Sequence, residues 1–362
     1  MFDMYVVLIV SIFTMVLSLI LTPVFIRLAD KWNIVDDPEP KARRSHEKRM
    51  PTMGGIIIYL SFYLATFFLV PIPNNQLIPL FAASSVIIMT GILDDLFELS
   101  PLLKLLGIII AASFIYFYGD VALETMTIPY LGTIEFGSFQ LPFTIIWITG
   151  FTNAINLIDG LDGLASGISM IALTTMGIIG FFFLTIEEVS ISVMIFILVA
   201  AIAGFWPYNF YPASIFLGDT GALFLGFMIS VFSLQGLKNA TLISLGLPII
   251  ILGIPVTDTL FAMIRRKLNK QSIVTADRSH IHHRFMIIGL SHKQTVLAIY
   301  SVSAIFSIIA LLYNFSTLIG SILLTLFVVI GVILFVELIG LVGEGKRPIL
   351  NVIKTFVQKL NK

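Results

Sequence analysis

Cysteine is absent from the 362 residues, which excludes disulfides, iron–sulfur clusters and thiolate zinc sites and leaves the compartment open. Charge is scarce as well. Lys and Arg together number 21, Asp and Glu also 21, and charged residues make up 12% of the chain, about half the share of a soluble globular protein. With 58% hydrophobic residues and a mean hydropathy of +1.03, too little polar surface is left to cover a soluble fold of this length. The formal net charge is zero and identifies no partner. Also missing are a Walker A sequence, a glycine-rich dinucleotide fingerprint after a strand and a Gly-x-Ser-x-Gly elbow, so no motif points to P-loop, Rossmann or α/β-hydrolase chemistry. No Lys or Arg precedes the first apolar segment, 4–28, and no small-residue cleavage site follows it. It reads as a retained span rather than a signal peptide.

What is present falls into apolar blocks of about 20 residues, the span of a bilayer-crossing helix. Backbone polar groups find no partners in lipid, so such blocks are expected to be helical. We read about eleven spans: 4–28, 53–71, 77–93, 102–119, 142–157, 164–185, 190–206, 217–235, 242–264, 294–313 and 316–340. The expected fold is an all-α polytopic integral membrane protein. Charge sets its orientation. The loops 29–52, 94–101, 158–163, 207–216, 265–293 and 341–362 carry almost every Lys and Arg, among them Lys31, Lys41, Arg43, Arg44, Lys48, Arg49, Arg265, Arg266, Lys267, Lys270, Arg278 and Arg284, whereas the opposite side holds Lys238. By the positive-inside rule the basic side is cytoplasmic, with the N-terminus outside and the C-terminus in the cytoplasm. Residues 1–345 read as one transmembrane domain. In 346–362, Ile349, Leu350, Ile353, Phe356, Val357 and Leu360 stand at helical spacing with Lys354, Lys359 and Lys362 between them, the pattern of an amphipathic tail at the membrane surface. The outer loop 120–141, with alternating residues and Pro129, Gly132 and Gly137, reads as a small hairpin.

The polar residues gather on the cytoplasmic side. Asp94, Asp95, Asp159, Asp162 and Asp219 lie at span ends there, and the embedded Asp258 and Glu337 are close to the same side. A transporter would place charge along a path through the bilayer, but the outer halves of these spans carry almost none. The distribution suits an enzyme that takes one substrate from the cytosol and another from the membrane. Adjacent carboxylates such as Asp94 and Asp95 ionise together readily only beside a cation. They suit a divalent metal or a phosphate-bearing substrate held through one, although a solvated helix cap accounts for them equally. Lys104, at the start of the next span, is placed to meet a phosphate. Asn153, Asn156, Asp159 and Asp162 recur at intervals of three, a polar stripe if helical, and Gly160 and Gly163 let backbone approach a ligand. Hard oxygen donors of this kind favour magnesium or manganese over zinc. Two capped helix ends joined by a turn would explain Asp159 and the glycines but not the asparagines. Asp219 opens the eighth span, where the helix dipole alone favours an acid, and Phe216 before it either stacks on a base or packs. Asp258, Arg265, Arg266, Asp277, Arg278, His280, His282, His283 and Arg284 close the series. Three histidines suggest zinc, yet without cysteine and beside so many cations they suit a diphosphate and the charge developing on it. A juxtamembrane polybasic segment would explain the arginines but not the histidines.

In this order, Pro51 with Gly54 and Gly55, Asp94 and Asp95 with Lys104, the Asn153–Gly163 stretch, Phe216 to Gly221, and Asp258 to Arg284 resemble the motifs of the polyprenyl-phosphate N-acetylhexosamine-1-phosphate transferases, glycosyltransferase family 4, over about residues 20–290. The resemblance implies that a membrane polyprenyl phosphate attacks the β-phosphate of a UDP-N-acetyl sugar, with magnesium (manganese as a substitute) bridging the diphosphate. It implies Asp219 and Asn156 as metal ligands and Asp94, with Asp95 beside it, as the group that deprotonates or positions the lipid phosphate. Asp159 and Asp162 would lie at the nucleotide-sugar site, and His282 and His283 would join the catalytic set. Lys104, Asn153, Phe216, His280 and Arg284 would bind substrate, with Phe216 at the uracil. The interrupted run His280, Ile281, His282, His283 followed by Arg284 resembles the branch using UDP-GlcNAc rather than UDP-MurNAc-pentapeptide. The implied partners are a UDP-N-acetyl sugar and undecaprenyl phosphate in a bacterial plasma membrane, with the active site facing the cytoplasm and no nucleic acid. A homodimer is compatible with the size. The Ile-rich, cysteine-free composition points to a low-GC Gram-positive source and teichoic acid synthesis. The alternatives are the pentapeptide donor and, in another class, a lipid-linked transporter.

Overall fold

Helices account for nearly all of the ordered backbone because a chain this apolar can satisfy its peptide groups only within itself. The computed structural model describes residues 4–36, 49–128, 132–183, 189–235, 240–268, 270 and 280–341. The amphipathic tail expected at 346–362, much of the first basic loop and the pair Asp277 and Arg278 lie outside the described residues. The helices are α1 (Met4–Trp32), α2 (Gly55–Leu69), α3 (Asn74–Phe97), α4 (Pro101–Gly119), α5 (Gln140–Ile158), α6 (Leu164–Phe183), α7 (Val189–Asn209), α8 (Gly218–Gln235), α9 (Leu242–Ile251), α10 (Gly253–Leu268), α11 (Ile281–Ile287), α12 (His292–Tyr313) and α13 (Leu318–Ile339). Among the described residues, nine helices are long and apolar enough to cross a membrane, and the chain is a multi-pass membrane protein.

All eleven expected spans are helical, but two depart from the simple reading. The second is short, with α2 running over 15 residues. Its start is delayed because Gly54 and Gly55 donate their N–H groups to the carbonyls of Phe216 (3.0 Å) and Leu217 (3.1 Å). Its end is set by Pro71, which holds Val70 extended at φ −131°, ψ 132°. The ninth span, expected as one helix, is two. Pro255 offers no N–H to the Ile251 carbonyl and its ring crowds that oxygen, so α9 stops at Ile251 and α10 restarts at Gly253.

The hairpin expected in 120–141 is present. Strands β3 (Thr125–Ile128) and β4 (Gly132–Glu135) pair antiparallel. A third strand, β5 (Ala240–Thr241), adds parallel to β3, a long-range contact that no local pattern announced. On the opposite side of the sequence pattern, β1 (Val35–Asp36) and β2 (Met50–Pro51) form a short antiparallel pair.

The core is built around α8. Every residue of this helix is buried except Asp219. Its neighbours α2, α3 and α5 reach it through glycine: a Cβ at Gly55 would strike the Gly221 backbone, one at Gly91 the Thr220 backbone, and one at Gly226 of α8 the Thr152 backbone. Small residues of this kind let helices in lipid gain van der Waals contact where no hydrophobic force drives them together. Helices α1 and α13 stand at the periphery and leave most of their large apolar side chains exposed, as lipid-facing helices do.

Candidate active site

The C-terminal ends of α3 and α5 meet the N-terminal ends of α4 and α8 at one end of the bundle. Each helix end brings a polar group, and α3 brings two. Lys104, in the first turn of α4, pairs with the Asp94 carboxylate and reaches Asp219 Oδ2 at 3.2 Å. Asn156, near the end of α5, donates its amide N–H to Asp219 Oδ1. The two carboxylates therefore share one ammonium, and Asn156 orients the second. Asp94 is almost fully buried, and its Oδ1 has no hydrogen-bond partner. A buried acceptor left in this state is costly.

Asp95 does a different job from its neighbour. Its Oδ1 accepts the Asp219 N–H at 2.9 Å, and its Oδ2 accepts both the Thr220 N–H at 3.1 Å and the Thr220 hydroxyl at 2.6 Å. It is the N-cap of α8, supplied by another helix. Gly218 makes room for it: the residue has φ +74°, and a Cβ there would lie 2.6 Å from Asp95 Oδ2, so both backbone and space demand glycine.

A second group adjoins the first through the end of α5. The polar stripe expected from Asn153 to Asp162 is helical as far as Ile158; Asp159 caps the helix, and 159–163 is a turn with Gly163 at φ +76°. Within that turn a Cβ at Gly160 would lie 2.5 Å from His282 Nε2, so the imidazole rests on bare backbone just beyond the end of α5. The His282 ring is 4.2 Å from that of His283 and parallel within 5° to that of His280 at 5.9 Å. Burial, then the neighbouring His283, His280 and His292, push the His282 pKa down to about 3. It is a neutral imidazole, and its Nδ1 has no partner. His280 in turn holds Asp258 through Nδ1 at 2.9 Å.

The sequence that builds this site has counterparts among known proteins. A family model described as glycosyl transferase family 4 matches residues 77–237. The chain is 42% identical over 357 residues to a probable undecaprenyl-phosphate N-acetylglucosaminyl 1-phosphate transferase of Bacillus subtilis, covering 97% of this chain and 96% of that protein. The chain belongs to glycosyl transferase family 4. It is also 31% identical to an undecaprenyl-phosphate alpha-N-acetylglucosaminyl 1-phosphate transferase of Thermotoga maritima, over 83% of this chain and 89% of the relative. A phospho-N-acetylmuramoyl-pentapeptide-transferase of Clostridium beijerinckii is 31% identical over 81% of this chain and 91% of its own length.

Against this family background, the structure brings together Asp94, Asp95, Lys104, Asn156 and Asp219, and sets His280, His282 and His283 beside the turn that holds Asp159. Arg284 lies on α11, partly buried, with Nε unbonded. Three expected residues stand differently. Asn153 turns its amide back to the Thr149 carbonyl at 2.9 Å. Phe216 is buried, its backbone paired with Pro51 and Gly54. Asp162 faces away from the acids: its Oδ2 accepts the Ala213 N–H at 3.1 Å, and its own N–H donates to His292 Nε2 at 3.1 Å. His292 stacks on Tyr211 with ring centroids 4.4 Å apart. Among the described residues, no three His, Asp or Glu side chains form a ready-made metal group.

The sequence alone assigned no role to Thr220, His292 or Tyr300. The Tyr300 hydroxyl donates to the Gly163 carbonyl and accepts from Trp206 Nε1 at 3.2 Å, pinning the turn after α5. A tyrosine inside an apolar helix signals that its hydroxyl has a partner, but not which one.

Proposed function

We propose that this family member transfers N-acetylglucosamine 1-phosphate from UDP-N-acetylglucosamine to undecaprenyl phosphate at the cytoplasmic face of a bacterial plasma membrane. The products are undecaprenyl-diphospho-N-acetylglucosamine and UMP, and the reaction opens the synthesis of a cell-envelope polymer. The observation that carries this reading is the cluster of Asp94, Lys104 and Asp219 at one end of a lipid-facing bundle. The Bacillus subtilis relative, named for this activity, supports the choice of sugar. Arg49, Lys104, Arg265, Arg266, Lys267 and Arg284 fall at the same end of the sequence pattern and support a cytoplasmic site.

In the step, an oxygen of the lipid phosphate bonds to the β-phosphorus. The bond from that phosphorus to the bridging oxygen breaks, and UMP departs with the oxygen. One phosphoanhydride replaces another, so positioning and charge neutralisation carry the catalysis. Asp94 Oδ1, the acceptor without a partner, orients the lipid phosphate or takes its proton. Lys104 balances the two acids and the incoming phosphates. Asp95 holds Asp219 in place by capping α8. His282, kept neutral, acts as a hydrogen-bonding group, and Arg284 supplies fixed positive charge.

Asp219 and Asn156 are the residues that would hold magnesium. The fit rests on chemistry: magnesium is commonly bound by one or two carboxylates together with substrate phosphates and water rather than by an all-protein cage, and Asp219 offers a hard carboxylate that keeps 30% of its side-chain surface exposed. When bound, the ion supplies charge neutralisation at the diphosphate.

The test is transfer of radiolabel from UDP-GlcNAc into the lipid phase by the purified protein with undecaprenyl phosphate and magnesium, with UDP-MurNAc-pentapeptide run in parallel. Label in lipid with UMP released, from UDP-GlcNAc alone, is the expected result. Transfer only from the pentapeptide donor, the activity in the name of the Clostridium relative, keeps the chemistry and overturns the sugar. Transfer from neither overturns the reading.

A further inference from the structure

Asp258 is a carboxylate that the proposed step does not use, placed where a carboxylate is expensive. It sits in α10, 1% exposed, in a segment read as membrane-spanning. An ionised group there persists only when its oxygens are satisfied. Both are, and both by the start of α11. Oδ1 accepts the Ile281 N–H at 2.9 Å, and Oδ2 faces His280 Nδ1 at 2.9 Å. Helix α11 has no cap of its own, since the side chain of its N-cap residue, His280, makes no capping bond. The arrangement repeats that of Asp95 on α8: an acid from one helix caps another that carries site residues.

The pairing with His280 adds what a cap alone would not. A carboxylate can only accept, so the proton between the two lies on Nδ1. That fixes the tautomer and leaves Nε2 as the atom His280 presents. The ring is parallel to that of His282, which rests on Gly160 in the turn after α5, so His280 is aligned with the histidine that packs on that turn.

We infer that Asp258 is a positioning residue: it anchors the first turn of α11 and holds His280 as the Nδ1–H form with Nε2 turned to the substrate. The inference rests on the proposed transfer reaction for its kinetic consequence but not for its structural one. Asp258→Asn separates the two functions of the carboxylate. The asparagine oxygen still accepts from Ile281, while its amide N–H faces His280 Nδ1 and favours the opposite tautomer.

The experiment combines a double-mutant cycle with histidine-selective 15N NMR, practical in a chain with five histidines. Asp258→Asn is expected to melt near the wild type and to lose about 10- to 100-fold in turnover, the range seen when an orienting partner is removed. His280→Gln is expected to lose at least as much, and the double variant no more than His280→Gln alone. In the spectra, the wild type shows an Nδ1-protonated imidazole that is absent from His280→Gln and shifts to the Nε2-protonated form in Asp258→Asn. Multiplying losses in the cycle, or a His280 tautomer unchanged by Asp258→Asn, would overturn the inference. If the wild type turns over neither nucleotide sugar, the transferase reading fails, and the spectra alone decide on Asp258.

Discussion

Two carboxylates that share one ammonium, as Asp94 and Asp219 share Lys104, depend on it for stability as well as chemistry. Lys104→Met should leave two like charges facing each other and cost about 2 kcal/mol, below the figure for a fully buried pair because Lys104 and Asp219 keep some access to solvent. Adding Asp94→Asn removes the repulsion, so the double variant should regain most of the melting temperature and none of the transfer activity. A Lys104→Met variant melting with the wild type would show that the pair carries no structural weight. At His282 the expectation concerns pH. Its pKa is pushed down to about 3 from an unfolded value of 6.5, so the native state excludes a proton that the unfolded chain binds. This contribution to stability is fully present above about pH 6.5 and is lost as pH falls towards 3. By pH 5 the loss is about 2 kcal/mol. Thermal melts in detergent at pH 7 and 5 should show a steeper acid loss in the wild type than in His282→Gln.

At the scale of the element, the decisive devices are caps supplied from elsewhere. Helix α8 opens with Gly218 and Asp219, yet its first amides bond to Asp95 of α3. Asp95→Ala should therefore orphan two N–H groups and a hydroxyl, with a loss of about 2–3 kcal/mol. Turnover should fall because Asp219 loses its register. Asp95→Asn keeps an acceptor and should retain much of both. Equal damage from the two substitutions would mean that the charge of Asp95, and not its hydrogen bonds, is what the site needs. The other decisive element is the break between α9 and α10. Pro255 marks it in the sequence, but hydropathy runs unbroken across it and carries no sign of the break.

For the whole molecule, the absence of cysteine turns topology into a clean experiment. Single cysteines replacing Glu135, in the exposed strand β4, and Lys270, beyond the end of α10, report opposite sides without background labelling. Glu135→Cys should react with a membrane-impermeant maleimide in intact cells, and Lys270→Cys only after the membrane is opened. The reverse pattern would place the acidic cluster on the outer face and overturn the proposed access of a cytosolic nucleotide sugar.

The membrane-embedded helical class, the positions of the helices, the hairpin between α4 and α5 and the candidates Asp94, Lys104, Asn156, Asp219 and His282 were all legible in the sequence. Each leaves a local mark: a block of apolar residues as long as the bilayer is thick, or a polar group where such a block ends. Tertiary structure decided which of those groups touch. Asp94 and Asp95 are adjacent and chemically identical, and no local rule tells them apart. Helix rotation puts one beside Lys104 and the other under the first turn of α8. The same holds for Asn153 and Asn156, and for Asp258, which meets His280 across 22 residues of chain. Composition and periodicity record how far each residue prefers water to lipid. The partner of a buried polar group is fixed only when helices close on one another, here near enough to require glycine at 55, 91 and 226.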